Sequence, residues 1–286
     1  MSGKIGFRRW WRSLAAPVVA LVVLLPGTAL PAHADEDPPR GPNVENIINA
    51  VFIVLDMLAS RHASPSQFRE LASQLVGAVK EAVPSAQEEI KNHIDAKIEA
   101  EVNGYLTEVK VEMVDFDAWF DEELVAYSAA ARFAEYASAT KAQLMEPGLN
   151  EKSINAMGFT VNVLYANAVA VRDLEVLGLP KGGTQLLVDQ IEVNKYLKNR
   201  LAPICNYVPV PAGEGVIEQY YECKGVDGTV KDGPLEVFAV GTGWLNPPIS
   251  DAEKTALADQ AGAKTSWAVA VGILPQLEDA LAKRGQ

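Results

Sequence analysis

The chain has 286 residues, 49% of them hydrophobic, and its 25 basic and 37 acidic residues give a formal net charge of -12. This hydrophobic content is sufficient for a folded core and excludes a globally disordered chain. The acidic balance argues against a nucleic-acid partner, because such a partner selects a basic face that displaces counterions. Two cysteines are too few for a disulfide-built scaffold or a four-thiolate zinc site.

The first 34 residues have the order of a secretory signal peptide. A basic segment with adjacent arginines at positions 8 and 9 precedes an apolar stretch over 15–30, and Ala32 and Ala34 form an A-x-A cleavage site. The apolar stretch of about 16 residues is shorter than the roughly 20 that a spanning helix needs. We therefore predict cleavage after Ala34 and a secreted or extracytoplasmic protein. The arginine pair leaves the twin-arginine route open beside general export.

The chain after Ala34 begins with charges, prolines and a glycine over 35–43, which predict a flexible or extended tether. The segment 44–61 is apolar nearly all round, which predicts either the central helix of a bundle or a membrane-seeking helix. About a dozen apolar residues are too few to span a bilayer as a helix. Asp56 lies inside this segment, and we place its carboxylate at the edge of the apolar face, where it needs no buried partner.

Two further segments are predicted to be helical. A second helix is predicted from Pro65 to Val83, with Pro84 closing it. The clearest helical periodicity follows over 85–120, where apolar residues recur at steps of three and four. One helix of this length would reach about 54 Å at 1.5 Å per residue, which favours an elongated body. A break at Gly104, followed by a strand, is the alternative.

The remaining elements are helices and one β-rich segment. Asp227-Gly228 and Asp232-Gly233 mark hairpin turns, and Pro275 is expected to kink or divide the last helix. Further helices are predicted over 121–145, 150–174, 184–201 and 251–283. Short strands are predicted over 208–210, 216–223 and 235–240.

These elements predict a mainly α fold, namely an elongated multi-helix bundle with a small disulfide-linked β-hairpin insert near the C-terminal end. The predicted divisions are a signal peptide (1–34), a flexible tether (35–43), a helical bundle (44–202), a β-rich insert (203–249) and a C-terminal helix that completes the bundle (250–286).

Cys205 and Cys223 are expected to form a disulfide in an exported protein. It would close a loop of about 18 residues and contribute on the order of 3 kcal/mol. The alternative is a nucleophilic thiol, but only His62 and His93 remain as partners after the signal peptide. Neither histidine lies in a serine-hydrolase or zinc-protease motif. We therefore assign no catalytic residue and expect no cofactor.

The run DFDAWFDEE over 115–123 is both acidic and aromatic. Its side chains Asp115, Asp117 and Asp121 are candidate calcium ligands, because hard oxygen donors suit that ion. The run lacks the central glycine and the distal glutamate of the twelve-residue calcium loop. We interpret it as a joint between helices, where Asp117 or Asp121 caps the second helix, and expect no metal.

Aromatic residues of the β-rich insert form the candidate recognition surface. The candidate binding residues are Tyr207, Tyr220, Tyr221 and Trp244, with Phe238 beside them. If exposed, they would bind a protein, a glycan or a lipid headgroup. If buried, they would form the small core beneath a hairpin.

The missing catalytic motifs, the scarce histidines and the β insert favour an exported, non-enzymatic binding or structural protein of unknown partner. One alternative is membrane activity, because amphipathic helices around the apolar 47–58 segment resemble the general plan of helical pore-forming toxins. A second alternative is a secreted enzyme that uses carboxylates, since 37 acids offer many pairs.

Overall fold

The computed structural model of the chain describes residues 44–59, 65–114, 123–172, 183–246 and 248–284. The described part is mainly α-helical with a small disulfide-linked sheet, which confirms the predicted fold class. The helices are Val44–Ala59 (α1), Pro65–His93 (α2), Ala96–Glu112 (α3), Glu123–Leu144 (α4), Glu151–Arg172 (α5), Gly183–Arg200 (α6), Asp251–Gly262 (α7) and Ser266–Arg284 (α8). The strands are Ile204–Val210 (β1), Val216–Lys224 (β2), Val230–Ala239 (β3) and Gly243–Trp244 (β4).

Several predictions fall on residues outside this part of the chain. The signal peptide and the tether lie there, as do His62 and the calcium candidates Asp115, Asp117 and Asp121. They stay predictions.

Helix α5 lies at the centre of the bundle. Every residue from Ser153 to Val171 is buried, and α1, α2, α3, α4, α6 and α8 all pack against it. No charged residue lies between Lys152 and Arg172, so the burial of α5 removes no ionised side chain from water. The most apolar segment, now α1, buries only one face, and Asp56 is exposed as expected.

Hydrogen bonds fix the orientation of α5 against its neighbours. Asn155 Oδ1 accepts from the backbone N–H of Ser266, at the start of α8, at 2.8 Å. Asn162 Oδ1 accepts from Asn194 Nδ2 of α6 at 2.8 Å. Because a buried polar group is costly without a partner, these bonds favour one rotation of α5 over the others.

The sequence predicts that Pro84 closes the second helix, but the structure shows that it does not. Helix α2 continues through it to His93, although an interior proline removes one backbone hydrogen bond and crowds the preceding turn. Val79 and Ile90, on either side of the proline, are fully buried, and α2 packs against α1 and α5. Burial of this continuous apolar face outweighs the cost of the proline, which is about 3 kcal/mol in an isolated helix.

The predicted single helix over 85–120 is wrong, because the chain breaks at Asp95. The Asp95 side chain caps α3, and its Oδ1 accepts from the Lys97 N–H at 2.9 Å. Gln87 Nε2 donates to Thr107 Oγ1 at 3.1 Å, which shows that α3 turns back along α2. Both helices present an apolar stripe to the bundle, so the periodicity persists across the break. The alternative break at Gly104 is also wrong, because Gly104 lies inside α3 and the residues after it are helical as far as Glu112.

Two tyrosines join α3 to α4. The rings of Tyr105 and Tyr136 stack with centroids 4.5 Å apart. Tyr105 Oη donates to Glu101 at 2.5 Å, and Tyr136 Oη donates to Glu108. The hydrogen bond to Glu101 and then burial raise the pKa of Tyr105 to about 12. Burial and then the hydrogen bond to Glu108 raise the pKa of Tyr136 to about 12.

We expect these phenols to make the protein less stable at alkaline pH. Their ordinary pKa is 10.0, and a raised pKa means that the folded state holds the proton more tightly. The stabilisation is therefore complete below a pH of about 10 and is lost as the pH rises through about 12. The melting temperature should fall more steeply over this range in the wild type than in the Tyr105→Phe/Tyr136→Phe variant. Equal slopes would contradict the assignment.

The β-rich insert forms one antiparallel sheet in the order β1-β2-β3-β4. Asp227-Gly228 forms the expected turn, with Gly228 at φ 87°. Asp232-Gly233 does not, because both residues lie inside β3. A Cβ at Gly233 would lie 2.9 Å from Ile249 Cδ1 and 3.1 Å from Leu257 Cδ1. A larger residue there would require these two side chains to move, because α7 and the segment before it pack closely on the strand.

The single helix predicted over 251–283 is two helices, divided at 263–265 and not at Pro275, which lies within α8. Helix α7 begins with a capping box, in which Ser250 Oγ accepts from the Glu253 N–H and the Glu253 carboxylate accepts from the Ser250 N–H. Helix α7 packs against β2 and β3, whereas α8 packs against α1, α5 and α6 and completes the bundle.

Cys205 and Cys223 form the predicted disulfide between directly paired residues of β1 and β2. Such a bond is consistent with a location outside the reducing cytoplasm. We expect the Cys205→Ser/Cys223→Ser variant to lose about 3 kcal/mol of unfolding free energy in the sheet, because the unfolded chain is no longer restricted. Guanidinium unfolding of the oxidised wild type and of this variant provides the measurement. Coincident curves would contradict this expectation.

Candidate functional site

The four candidate binding aromatics lie in three different environments. Tyr207 and Tyr221 are directly paired on β1 and β2, and their rings meet edge to face with centroids 5.1 Å apart. Tyr220 belongs to the opposite face of the sheet, because successive residues of a strand alternate between faces. Trp244 lies on β4. The structure therefore does not bring the four together into one cluster.

Tyr207 and Tyr221 hold α7 on the sheet. Lys254 Nζ of α7 lies 5.6 Å from the centroid of each ring, a distance at which the ring face attracts a cation. Tyr207 Oη also donates to Glu236 Oε1 at 3.5 Å. These contacts give both tyrosines a structural role, although Tyr207 remains 40% exposed.

Glu236 is a fully buried carboxylate beneath this contact. Gln219 Nε2 donates to its Oε2 at 3.0 Å, and the Ile249 N–H donates to its Oε1 at 2.7 Å. With Tyr207, the carboxylate collects donors from β1, β2 and the segment that leads into α7. Sequence reasoning missed Glu236, because only its strand partners distinguish it from the other 36 acids.

An apolar cluster lies two residues further along the same face of the sheet. Ile217, Phe238 and Trp244 are consecutive partners across β2, β3 and β4, and the rings of Phe238 and Trp244 meet edge to face at 5.3 Å. Val240 and Leu245 follow directly after β3 and β4. We call these five residues the apolar tip. Four of them are exposed: Ile217 by 53%, Val240 by 72%, Trp244 by 46% and Leu245 by 61%.

Exposure of large apolar side chains is concentrated in the sheet. Of the twelve large hydrophobic residues that are exposed in the described part of the chain, eight lie between 204 and 245. Among the described helices, α7 alone packs substantially against the strands. Ile204 and Val230 lie at the opposite end of the sheet, so the apolar tip is the group among these eight that has the character of an interaction surface, whereas scattered single residues do not.

The sequence near the apolar tip contributes acidic charge and no basic charge. No lysine or arginine occurs over 203–223 or 232–250, and Glu214 and Glu218 lie close to Ile217 along the chain. An apolar surface with acidic neighbours repels anionic membranes and nucleic acids, and it complements an apolar pocket with a basic rim. The other acids of these two stretches lie elsewhere: Glu236 is buried, and Glu222 and Asp232 pair with each other toward the opposite end of the sheet.

In the residues that the structure describes, no three His, Cys, Asp or Glu side chains are grouped so that they could hold a metal ion. Asp115, Asp117 and Asp121 lie outside those residues.

No protein-family model, no curated protein and no solved structure matches this chain.

Proposed function

We propose that this chain is an exported, non-enzymatic protein that binds a partner protein through the apolar tip. The observation that carries the proposal is the grouped exposure of Ile217, Trp244 and Leu245 at one end of the sheet. Export is supported by the basic, apolar and A-x-A order of the first 34 residues and by the disulfide.

The charge around the apolar tip favours a protein over a lipid surface. Trp244 and Phe238 provide large apolar areas of the kind that anchor protein interfaces. The acidic residues around them disfavour an anionic membrane, because like charges repel. The expected partner has an apolar pocket for Trp244 and basic residues at its rim. Its association rate should fall as the salt concentration rises.

Photo-crosslinking outside the producing cell tests this proposal. A photoreactive amino acid replaces Val240, which is 72% exposed in the apolar tip, in one protein and Val188, which is 38% exposed on α6, in a matched control. We expect one extracytoplasmic protein to crosslink at position 240 and not at 188. The added change Ile217→Ala should remove that crosslink, whereas Val111→Ala on α3 should not.

The identified partner then gives a quantitative measurement. Calorimetry should show that Trp244→Ala weakens its binding by about 30-fold or more, as for an anchor worth at least 2 kcal/mol. Equal crosslinking at 240 and 188 would contradict the proposal. So would turnover of a substrate that one point change abolishes.

Helix α5 supports membrane activity as a second candidate function. Among the described helices, it alone is long and apolar enough to cross a membrane, and it is fully buried. Its 22 residues correspond to about 33 Å, close to the bilayer core of about 30 Å. Asn162 Nδ2 and Asn167 Nδ2 donate to carbonyls one turn earlier in α5 itself. These bonds would persist if α5 left the bundle.

Dye release from phosphatidylcholine vesicles tests this second candidate. The variant Asn155→Cys/Ser266→Cys provides a disulfide lock between α5 and α8. It replaces two side chains that are hydrogen-bonded in the structure, with Ser266 Oγ 3.2 Å from Asn155 Oδ1. If α5 inserts, the wild type and the single variant Asn155→Cys should release dye, and the oxidised lock should not. No release by the wild type at any pH from about 5 to 8, a range in which histidine and perturbed carboxyl groups titrate, would contradict membrane activity.

A further inference from the structure

A cleft of about 910 Å³ lies where three segments of the chain meet. These segments are the start of α5, the joint between α6 and β1, and the turn between β2 and β3. The cleft lies at the end of the sheet opposite to the apolar tip. Six residue steps separate Ile204 from Val210 along β1, which corresponds to about 20 Å.

Three cationic side chains line this cleft, Lys152, Arg200 and Lys224. All three are exposed, and none forms an ion pair with another described residue. Glu151 is the one acid among the lining residues, so the lining carries a net charge of +2. This cationic cluster belongs to a chain whose formal net charge is -12. It therefore provides a local attraction for an anion within an acidic chain.

The cleft also has an apolar part and a fixed wall. Ile204 and Val226 line it beside the cations, and Ile204 is 64% exposed. Ile204 pairs directly with Lys224, and the next pair along the strands is the disulfide of Cys205 and Cys223. The covalent bond holds this wall in place before a ligand arrives, which reduces the ordering cost of binding.

We infer that this cleft binds an organic phosphate, as a phosphate monoester. Such a group carries about -1.5 to -2 charges at neutral pH, which matches the lining, whereas a single carboxylate would balance only half of it. The Arg200 guanidinium is suited to two parallel hydrogen bonds to phosphate oxygens, and Lys152 and Lys224 supply point charges. Ile204 and Val226 contact the organic part. This inference does not depend on the proposed function of the apolar tip.

Titration calorimetry of the whole oxidised protein tests the inference with defined probes. The soluble probes are glycerol 3-phosphate and inorganic phosphate, with glycerol as the blank. The membrane probes are phosphatidylcholine vesicles with and without phosphatidic acid. Saturable binding of glycerol 3-phosphate identifies a soluble ligand, and binding only to phosphatidic acid vesicles identifies a lipid headgroup. Absence of saturable binding to all of these phosphates would overturn the inference.

Charge-neutralising variants locate the binding. Each of the single variants should lower the binding affinity for the phosphate probe by about tenfold, because each removes a charge-assisted contact. These variants are Lys152→Gln, Arg200→Gln and Lys224→Gln. The triple variant should show no saturable binding. Hydrogen exchange of the wild type should show protection by the probe over 150–152, 199–204 and 224–228.

A matched control separates a local site from the overall charge. The variant Lys80→Gln/Lys91→Gln/Lys264→Gln removes the same charge from three exposed lysines elsewhere and should bind the probe as the wild type does. Melting curves of both triple variants establish that they are folded. Equal weakening in the two triple variants, or probe protection confined to other segments, would overturn the inference.

Discussion

Replacement of Gly158 by valine should destabilise the protein by about 3 kcal/mol or more, at the upper end of what overpacking costs. Gly158 lies where α5 crosses α6 and α8. A Cβ at this position would lie 2.7 Å from Ser266 Cβ and 2.8 Å from Leu197 Cδ2, and it would also meet Ser266 Oγ. These neighbours are themselves buried. A larger side chain therefore requires α5 to move away from two helices at once.

Gly77 of α2 provides the matched control for Gly158. It is exposed, and a Cβ there would have no neighbouring atom within 4 Å. Gly77→Ala should therefore stabilise the protein by about 0.5–1 kcal/mol, because alanine loses less backbone entropy in a helix. Urea unfolding followed by circular dichroism measures both variants. If Gly158→Val unfolds at the wild-type midpoint, the close crossing of α5 is not present in solution.

Replacement of Glu236 by alanine should cost about 3 kcal/mol, because it leaves buried donors without an acceptor. Gln219 Nε2 and the Ile249 N–H lose their partners, and Tyr207 loses a weaker one. The loss should appear first as faster hydrogen exchange in α7, since these bonds join the segment before α7 to the sheet. Glu236→Gln should cost less, because its amide oxygen still accepts one of these bonds.

Glu218 is the control for Glu236. It lies on the neighbouring strand, pairs with Val237 and is only half-buried. Glu218→Ala should change the unfolding free energy by less than about 0.5 kcal/mol, as is usual for surface substitutions. If Glu218→Ala and Glu236→Ala cost the same, the buried carboxylate does not hold α7 on the sheet.

The elements that local pattern determines were predicted from the sequence. Helices α5 and α6 fall within a few residues of the predicted ranges 150–174 and 184–201, because joints rich in glycine and proline separate their apolar stripes. The disulfide of Cys205 and Cys223 was predicted because an exported chain with two cysteines has one possible pairing. These predictions needed no knowledge of which helix packs against which.

The elements that tertiary packing determines were not predicted. Pro84 lies inside α2 because apolar packing on both sides of it outweighs a local breaker. The break at Asp95 was not predicted, because the role of Asp95 as a cap depends on α3 turning back along α2. Gly233 was predicted to form a turn, whereas it lies inside β3, where Ile249 and Leu257 approach the strand closely.

The candidate site was predicted in part. The sequence predicts a binding site in the β-rich insert, and Trp244 belongs to the apolar tip, but binding by this segment stays a prediction. Ile217 and Leu245 were missed, because their exposure depends on how far α7 extends over the sheet, and no local pattern encodes that. Tyr207 and Tyr221 lie beneath Lys254, a contact between residues about 30 to 50 positions apart that aromatic content alone does not indicate.

Hydroxyl-radical footprinting tests the central claim most directly, when it is carried out both on the purified chain and on the chain in place around the cells that produce it. In the purified protein, Trp244 and Leu245 should be labelled strongly, and Met157 and Tyr165 of α5 should be protected. Around the cells, Trp244 and Leu245 should become protected by the partner, while Val188 stays labelled. Equal labelling of Trp244 and Leu245 in the two settings would contradict a binding role for the apolar tip.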